Sequence, residues 1–469
     1  MGPPFCPGLG GGTLLDVLIH NVLPFLGVLV VLVVIHELGH FFTAKLFGIK
    51  VLEFGIGYPP RLFGFKRGET EYTINVLPLG GFVRLLGEED PTDPRSLAAQ
   101  PAPQRLIVMG AGSFMNFVLA VTLFAIALMI PREVPVGRAM IAQVVPGSPA
   151  DQAGLKQGDV IQSIGGRTID SVPDASYNIR LNLGERTEIV VRRTDPVTQQ
   201  STPVRVQVKP RWAPPPYEYT VLPGDDVDKV SKATGFDRGA VRIAAGIETK
   251  LLAGTELTIV DGTETYRHKV VEGETVESVA RSLRVPDAAV AAAAQLPEQN
   301  SLTAGAVLRF QQGATGIQIA PQFPYTETRS LGPLKALQRG WQSTFDSLKL
   351  ARNEIISWTK GGAKAPVSGP IGIAQATGEV VKEAGWKSLM DLAALLSINL
   401  AVMNALPLPM LDGGRMAFVV IEVLRRGKRI APAKEALVHL VGMAALLILV
   451  VVLSYFDVAR IVRGDNLFR

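Results

Sequence analysis

The sequence predicts a polytopic α-helical membrane protein of about four transmembrane helices. A membrane-associated β-hairpin region follows the first span, and small α+β and βααβ modules lie between the second and third. Three observations predict the membrane-spanning class. Apolar blocks long enough to cross a bilayer lie at 17–43, 106–130, 389–408 and 436–457. Charged residues make up only 19% of the chain against 47% apolar, and they concentrate between those blocks. The first block ends in His36-Glu37-Leu38-Gly39-His40, a set of ionisable groups that is costly to leave idle inside a membrane.

Residues 1–16 contain no Lys or Arg. The span that follows is too long for a cleaved signal peptide and is expected to remain as an anchor. The single cysteine, Cys6, excludes an internal disulfide framework, and without a preceding apolar stretch it is a poor lipoprotein attachment site. Within 17–43, the i, i+4 spacing places His36 and His40 on one helix face about a turn apart. They can share one Zn²⁺, with Glu37 beside the open coordination position.

A catalytic zinc normally takes three protein ligands. Asp412 is the candidate third, in Asn404-Ala405-Leu406-Pro407-Leu408-Pro409-Met410-Leu411-Asp412-Gly413-Gly414, directly after the third apolar block. The prolines break the helix and the glycines allow close backbone approach, so the carboxylate can be aimed at a neighbouring helix. Taken alone, Asp412 reads equally as a helix cap at the membrane edge. Beside the His pair, ligation is the stronger reading.

The HExxH and NxxPxPxLDGG stretches resemble the site-2 protease family of intramembrane zinc metalloproteases, specifically the bacterial group that includes the regulator-of-sigma-E protease. The resemblance runs from about residue 17 to the C-terminus, apart from one insert. It implies His36, His40 and Asp412 as zinc ligands, Glu37 as catalytic base and Asn404 as a residue that positions substrate near the metal. Asn404 also reads as a polar helix terminator. The implied reaction is zinc-dependent hydrolysis of peptide bonds in or near the transmembrane helix of single-span membrane proteins, such as anti-sigma factors or signal-peptide remnants.

Basic residues fill the connections at 44–105 (Lys45, Lys50, Arg61, Lys66, Arg67, Arg84, Arg95, Arg105) and 409–435 (Arg415, Arg425, Arg426, Lys428, Arg429, Lys434). Those connections belong in the cytoplasm of a bacterial cell, with the zinc site toward that side of the plasma membrane. The segment of roughly 131–388 and the tail 458–469 then lie outside, the tail's Arg460, Arg463 and Arg469 being a mild exception. The net charge of +5 sits largely beside anionic lipid headgroups and requires no nucleic acid.

In 44–105, runs of β-favouring residues flank Arg67-Gly68 and read as hairpin strands at 53–62 and 72–84. The resemblance implies a membrane-dipping sheet whose Gly80 and Gly81 contact substrate, and an edge there could pair with an unwound helix. A structural hairpin packed under the helices is the plainer alternative. Small residues from Gly110 open the second span; Asn116 matches a family GxxxN-type motif and carries an implied substrate contact, or reads as a helix–helix hydrogen-bonding residue.

Residues 134–216 resemble a PDZ domain, with Ile141–Ala150, Ala153–Ile161 and Ile164-Gly165-Gly166 followed by strands at 187–192 and 204–209. A returning strand in 313–324 implies that an insert interrupts it. Inside the insert, the pattern at Tyr219–Val230 recurs at His268–Val279. Both units, 218–261 and 266–312, resemble LysM modules, whose βααβ fold implies binding of peptidoglycan or another glycan. Alanines near Ala244 and Ala293 replace the Asn such modules often carry, so a spacer or protein-binding role stands beside that reading. Residues 330–360 carry apolar positions at helical spacing and suggest an interfacial amphipathic helix or a packed one. Residues 361–388 read as a loop region with a GPxGI segment. His20, His268 and His439 have no motif context, and interfacial position, loop exposure and helix packing account for them. The competing class is a non-enzymatic receptor sensing cell-wall glycan around a structural metal. Such a closed site needs a fourth ligand, and no further His or Cys accompanies the three candidates.

Overall fold

A computed structural model describes residues 18–462, apart from 89, 196, 237, 248–250, 252–253, 262–263, 272–273, 284, 295–301 and 363–367. The expectations for residues 1–16 with Cys6, for Val17, for 463–469 and for positions 363–367 of the 361–388 loop region lie outside the described residues. In chain order the elements are α1 (Leu23–Leu46), β1 (Val51–Arg67), β2 (Thr70–Leu85), α2 (Ala102–Met129), β3 (Arg132–Val144), α3 (Pro149–Gln152), β4 (Val160–Ile164) and β5 (Arg167–Thr168). Then come α4 (Val172–Leu181), β6 (Thr187–Thr194), β7 (Ser201–Val208), β8 (Tyr217–Thr220), α5 (Val227–Thr234), α6 (Arg238–Ala244), β9 (Glu256–Asp261), β10 (Glu264–Lys269), α7 (Val276–Leu283) and α8 (Asp287–Ala293). The chain ends with β11 (Val307–Phe310), β12 (Ile317–Arg329), α9 (Pro333–Thr359), α10 (Pro370–Ala384), α11 (Leu389–Ala405), α12 (Asp412–Leu424) and α13 (Pro432–Val462). Two compact units result: one runs to Glu133 and takes up Thr328–Ala351 and the chain from Ala365, the other holds Val134–Glu327 and Arg352–Lys364.

Among the described residues of the helical unit, four helical stretches are long and apolar enough to span a bilayer: Leu18–Leu46, Ala102–Met129, Trp386–Ala405 and Ala433–Ile461. They coincide with the apolar blocks of the sequence. Pro24 stands in the first turn of α1, where its missing N–H has no helical partner to lose. Close approach of α1 to α2 depends on Gly39, because a Cβ there would lie 2.4 Å from the Ala111 carbonyl oxygen. The base of the hairpin is fixed by a core of Ala44, Ile49, Val51, Leu85, Leu97 and Val108.

The hairpin is more folded than its sequence pattern suggests. Phe54 pairs with both Tyr72 and Val83, so the two strands make four rows in the order 61–67, 70–75, 53–56 and 81–85. The row 81–85 is an edge, with no strand on its outer side among the described residues. The segment expected as a GPxGI loop instead starts helix α10, with Gly369 as N-cap and Pro370 in the first turn. Proline's fixed φ suits that position, so the Gly-Pro pair marks a helix start rather than a turn. The expected amphipathic helix is α9; Phe117 of α2 lies 5.6 Å from Trp341 and 5.7 Å from Phe345. Gly340 removes the Cβ that would otherwise lie 2.7 Å from the Val121 carbonyl oxygen.

The other unit contains a six-stranded sheet in the order β12-β3-β4-β6-β7, with β5 paired to β4. Its core is built by Ile141, Leu155, Ile161, Ile164, Ile179, Ile189, Val191 and Ile317. The returning strand β12 lies beside β3, which places the insert between β7 and β12. Helix α4, capped by Ser171 Oγ accepting from Asp174 N–H, has no counterpart among the sequence expectations.

The insert differs from two consecutive repeats. β8 pairs with β11, Tyr219 opposite Leu308, while β9 pairs with β10, Ile259 opposite Tyr266. Each opening strand thus pairs with the closing strand of the other repeat, and the boundaries 218–261 and 266–312 do not separate two folding units. One core joins Val221, Val227, Val230, Phe236 and Val241 to Leu308 and Phe310, and a nested one joins Leu257, Ile259, Val270, Val276, Val279 and Val290. The recurring pattern in the sequence marks two similar units, but recurrence does not name the partner of each strand.

Candidate metal centre

Helix α1 delivers His36 and His40 one turn apart, their rings 4.9 Å centroid to centroid and nearly perpendicular. Asp412, first residue of α12, brings its Oδ2 to 3.1 Å from His36 Nε2 and 3.2 Å from His40 Nε2; the two Nε2 atoms are 3.3 Å apart. Ligands around a tetrahedral zinc at about 2.0–2.1 Å stand about 3.3 Å from one another, so this triangle fits the ion. A second observation agrees. Asp412 Oδ2 is buried and has no hydrogen-bond donor aligned to it, an arrangement that costs free energy unless a cation completes it. His36, His40 and Asp412 are positioned to bind a metal ion.

The groups behind these ligands fix which ring nitrogen faces the metal. His40 Nδ1 lies 2.7 Å from the Val108 carbonyl oxygen, which can only accept, so the proton is on Nδ1 and the Nε2 lone pair points into the triangle. Asn116, fully buried on α2, holds its side-chain amide 3.3 Å from His36 Nδ1. Its Oδ1 is buried without a donor. Turning the amide over gives Oδ1 the His36 Nδ1–H and leaves Nε2 free for the ion, the same tautomer as in His40. Ser397 of α11 donates its hydroxyl hydrogen to the Asn116 carbonyl oxygen at 2.8 Å, tying a third helix to this support.

Glycines make the convergence possible. A Cβ on Gly112 would lie 2.4 Å from His40 Nε2 and 2.7 Å from His36 Nε2. A Cβ on Gly413 would meet the Leu406 carbonyl oxygen at 2.2 Å, and one on Gly414 the Leu408 oxygen at 2.2 Å, so both are required for the reversal that presents Asp412. At the hairpin, Gly81 lies beside Glu37, 3.4 Å from an added Cβ to Glu37 Cγ. Gly80 is packed under the Tyr58 ring at 2.6 Å on the same measure.

The structure therefore gathers His36, His40, Asp412, Glu37, Asn116 and Gly81, with Gly80 next to them. Asn404 is half-buried near the end of α11. Among the described residues its side chain makes no hydrogen bond to the metal-facing groups. Sequence reasoning passed over Gly112 as a site residue; its signal was the small-residue run in α2, which also fits plain helix packing. It passed over Val108, whose contribution is a backbone carbonyl and has no sequence signal. His268, assigned to loop exposure, instead pairs with Glu274 at 2.7 Å inside the insert.

Comparison with known proteins supplies the rest. The model of peptidase family M50 matches residues 24–449. A Clostridium perfringens protein with a provisional zinc-metalloprotease name is 32% identical over 428 residues, covering 91% of this chain and 95% of its own. The zinc metalloprotease RasP of Geobacillus kaustophilus is 29% identical, covering 94% and 98%. The regulator of sigma-W protease RasP of Bacillus subtilis is 28% identical, covering 94% and 99%. Together with four spanning-length helices, these matches make this a multi-pass membrane protein. The chain belongs to peptidase family M50 and is a zinc metalloprotease.

Proposed function

We propose that this enzyme hydrolyses peptide bonds in or near the transmembrane segments of single-span membrane proteins. The observation that carries the reading is the passage of a free strand edge, the row 81–85, beside Glu37 in a helix of spanning length. A transmembrane helix hides its carbonyls in its own hydrogen bonds, and unwinding in lipid leaves backbone groups unsatisfied. An extended segment added to that edge would have them satisfied by β2 while a carbonyl lies exposed next to the metal ligands.

We assign His36, His40 and Asp412 to holding zinc, which when bound supplies Lewis acidity and lowers the pKa of a neighbouring water. Glu37 accepts the proton of the attacking water and delivers it to the leaving amine. Asn116 is assigned to orienting His36, since full burial behind the ring leaves it no path to substrate. Gly80 and Gly81 keep the strand close to α1, and Asn404 retains a proposed place in substrate positioning. The basic connections at 44–105 and 409–435 favour a site toward the cytoplasmic side. The sheet of β3–β7 and β12 we read as a PDZ-type module that binds peptide or filters substrates by size, and the insert as a LysM-like glycan reader. The name of the Bacillus subtilis relative favours regulators of the anti-sigma type as substrates.

The test is co-expression with a panel of tagged single-span membrane proteins, comparing the unaltered chain with Glu37→Gln. Cleavage within the membrane segment of at least one, lost in the variant while zinc content is kept, is the expected result. Cleavage that survives Glu37→Gln, or that falls only in soluble regions, sinks the reading.

A further inference from the structure

Between Ala436 and Leu453 of α13, His439 is the only ionisable side chain. Sequence alone gave it a packing role, but a polar ring in an otherwise apolar span calls for a specific partner. That partner is the backbone of the loop before Asp412. The Met410 N–H donates to His439 Nδ1 at 2.9 Å. Since an amide N–H can only donate, Nδ1 carries the lone pair and Nε2 the proton; Glu435 Oε1, one turn earlier, lies 4.0 Å from Nε2, beyond hydrogen-bond distance. Phe418 of α12 flanks the ring, centroids 5.5 Å apart.

The loop needs such a support. Met410 has φ +74°, a left-handed conformation that a side chain with a Cβ disfavours. One turn along α13 from His439, Gly442 receives Pro409 so closely that a Cβ there would lie 2.2 Å from the Pro409 Cβ. α13 thus grips consecutive residues, Pro409 by shape and Met410 by a hydrogen bond, two positions before the carboxylate that faces His36 and His40.

We propose that His439 is a positioning residue for the metal centre: it holds Met410 in its left-handed conformation and thereby fixes the aim of Asp412. The proposal rests on Asp412 as third ligand and adds α13 to the elements that build the site.

The experiment measures zinc affinity of the purified full-length protein in detergent by chelator competition, with thermal melting alongside. His439→Leu, which fills space but cannot accept, is expected to bind zinc on the order of tenfold more weakly. His439→Asn, whose Oδ1 can accept the same N–H, should stay near the unaltered protein. Adding Met410→Gly to His439→Leu should recover much of the loss, because glycine takes a positive φ without a Cβ penalty. Unchanged affinity in His439→Leu overturns the proposal. So does a loss relieved by neither His439→Asn nor Met410→Gly, which would mark the ring as packing alone. Asp412→Ala is measured in parallel: if it binds zinc as tightly as the unaltered chain, the third-ligand assignment is at fault, and a strong loss there keeps the two questions separate.

Discussion

Gly112 and His40 stand so close that a methyl group on the glycine would lie 2.4 Å from the Nε2 that faces the metal. No relaxation of the ring alone accommodates this, since His40 Nδ1 is also held by the Val108 carbonyl at 2.7 Å. Gly112→Ala is therefore expected to weaken zinc binding on the order of a hundredfold while leaving the helices assembled. Metal analysis after dialysis against a weak chelator checks it, with circular dichroism as the control. Zinc retained at full occupancy would show that the helices can part at this crossing.

Asn116 supports His36 from behind the ring, so its removal should act through the metal. Asn116→Ala is expected to cost between about ten- and a hundredfold in zinc affinity. Asn116→Asp, which keeps an acceptor for Nδ1–H, should lose less. Equal loss in both variants would favour packing over the hydrogen bond.

Away from the metal, α12 is anchored to α2 by Glu422, whose carboxylate takes Arg105 Nη2 at 2.6 Å and Arg429 Nε at 3.1 Å. Burial would raise the Glu422 carboxyl, but Arg105 and Arg429 outweigh it and hold it below its usual 4.5. With a folded-state pKa below the unfolded one, the pair's contribution is complete above about pH 4.5 and is lost as pH falls through the folded value. Glu422→Gln leaves the Arg105 guanidinium buried without a counter-charge. Destabilisation of about 3 kcal/mol is expected, the lower end for a broken buried pair because Glu422 keeps some exposure. Melting temperature from pH 7 down to about pH 3 is the measurement: the unaltered chain should lose stability below about pH 4.5 more steeply than the variant.

The crossed strand pairing of the insert makes unequal predictions for two deletions. Removing 251–294 excises the nested core and leaves β8 paired with β11, so the remaining module should stay folded. Removing 266–312, a nominal repeat, strips β8 of β11 and β9 of β10 and opens both cores. Deleting 217–312 entirely should be tolerated, since Gln312 Nε2 donates to the Pro215 carbonyl at 2.7 Å and the ends are already adjacent. Limited proteolysis of the three variants distinguishes the cases. A protease-resistant 266–312 deletion would mean that each repeat can close on its own strands.

The sequence by itself determined the spans and the His36–Glu37–His40 set, and it marked Asp412 as the carboxylate that could join them. Each depends on local composition or helical spacing: apolar length sets membrane crossing, and an i, i+4 pair shares a face whatever surrounds it. Prolines and glycines around Asp412 announced a reversal for the same local reason. The tertiary structure decided how the imidazoles are turned and spaced, through Val108 and Gly112, and which helix the loop before Asp412 rests on, through the contacts of Pro409 and Met410 with α13, because these depend on which helices cross and at what separation. It decided that the hairpin makes four rows, and that β8 belongs to β11 and β9 to β10. Strand alternation records which face is buried but not the identity of the neighbour, so pairing is settled only when the chain has chosen its cores.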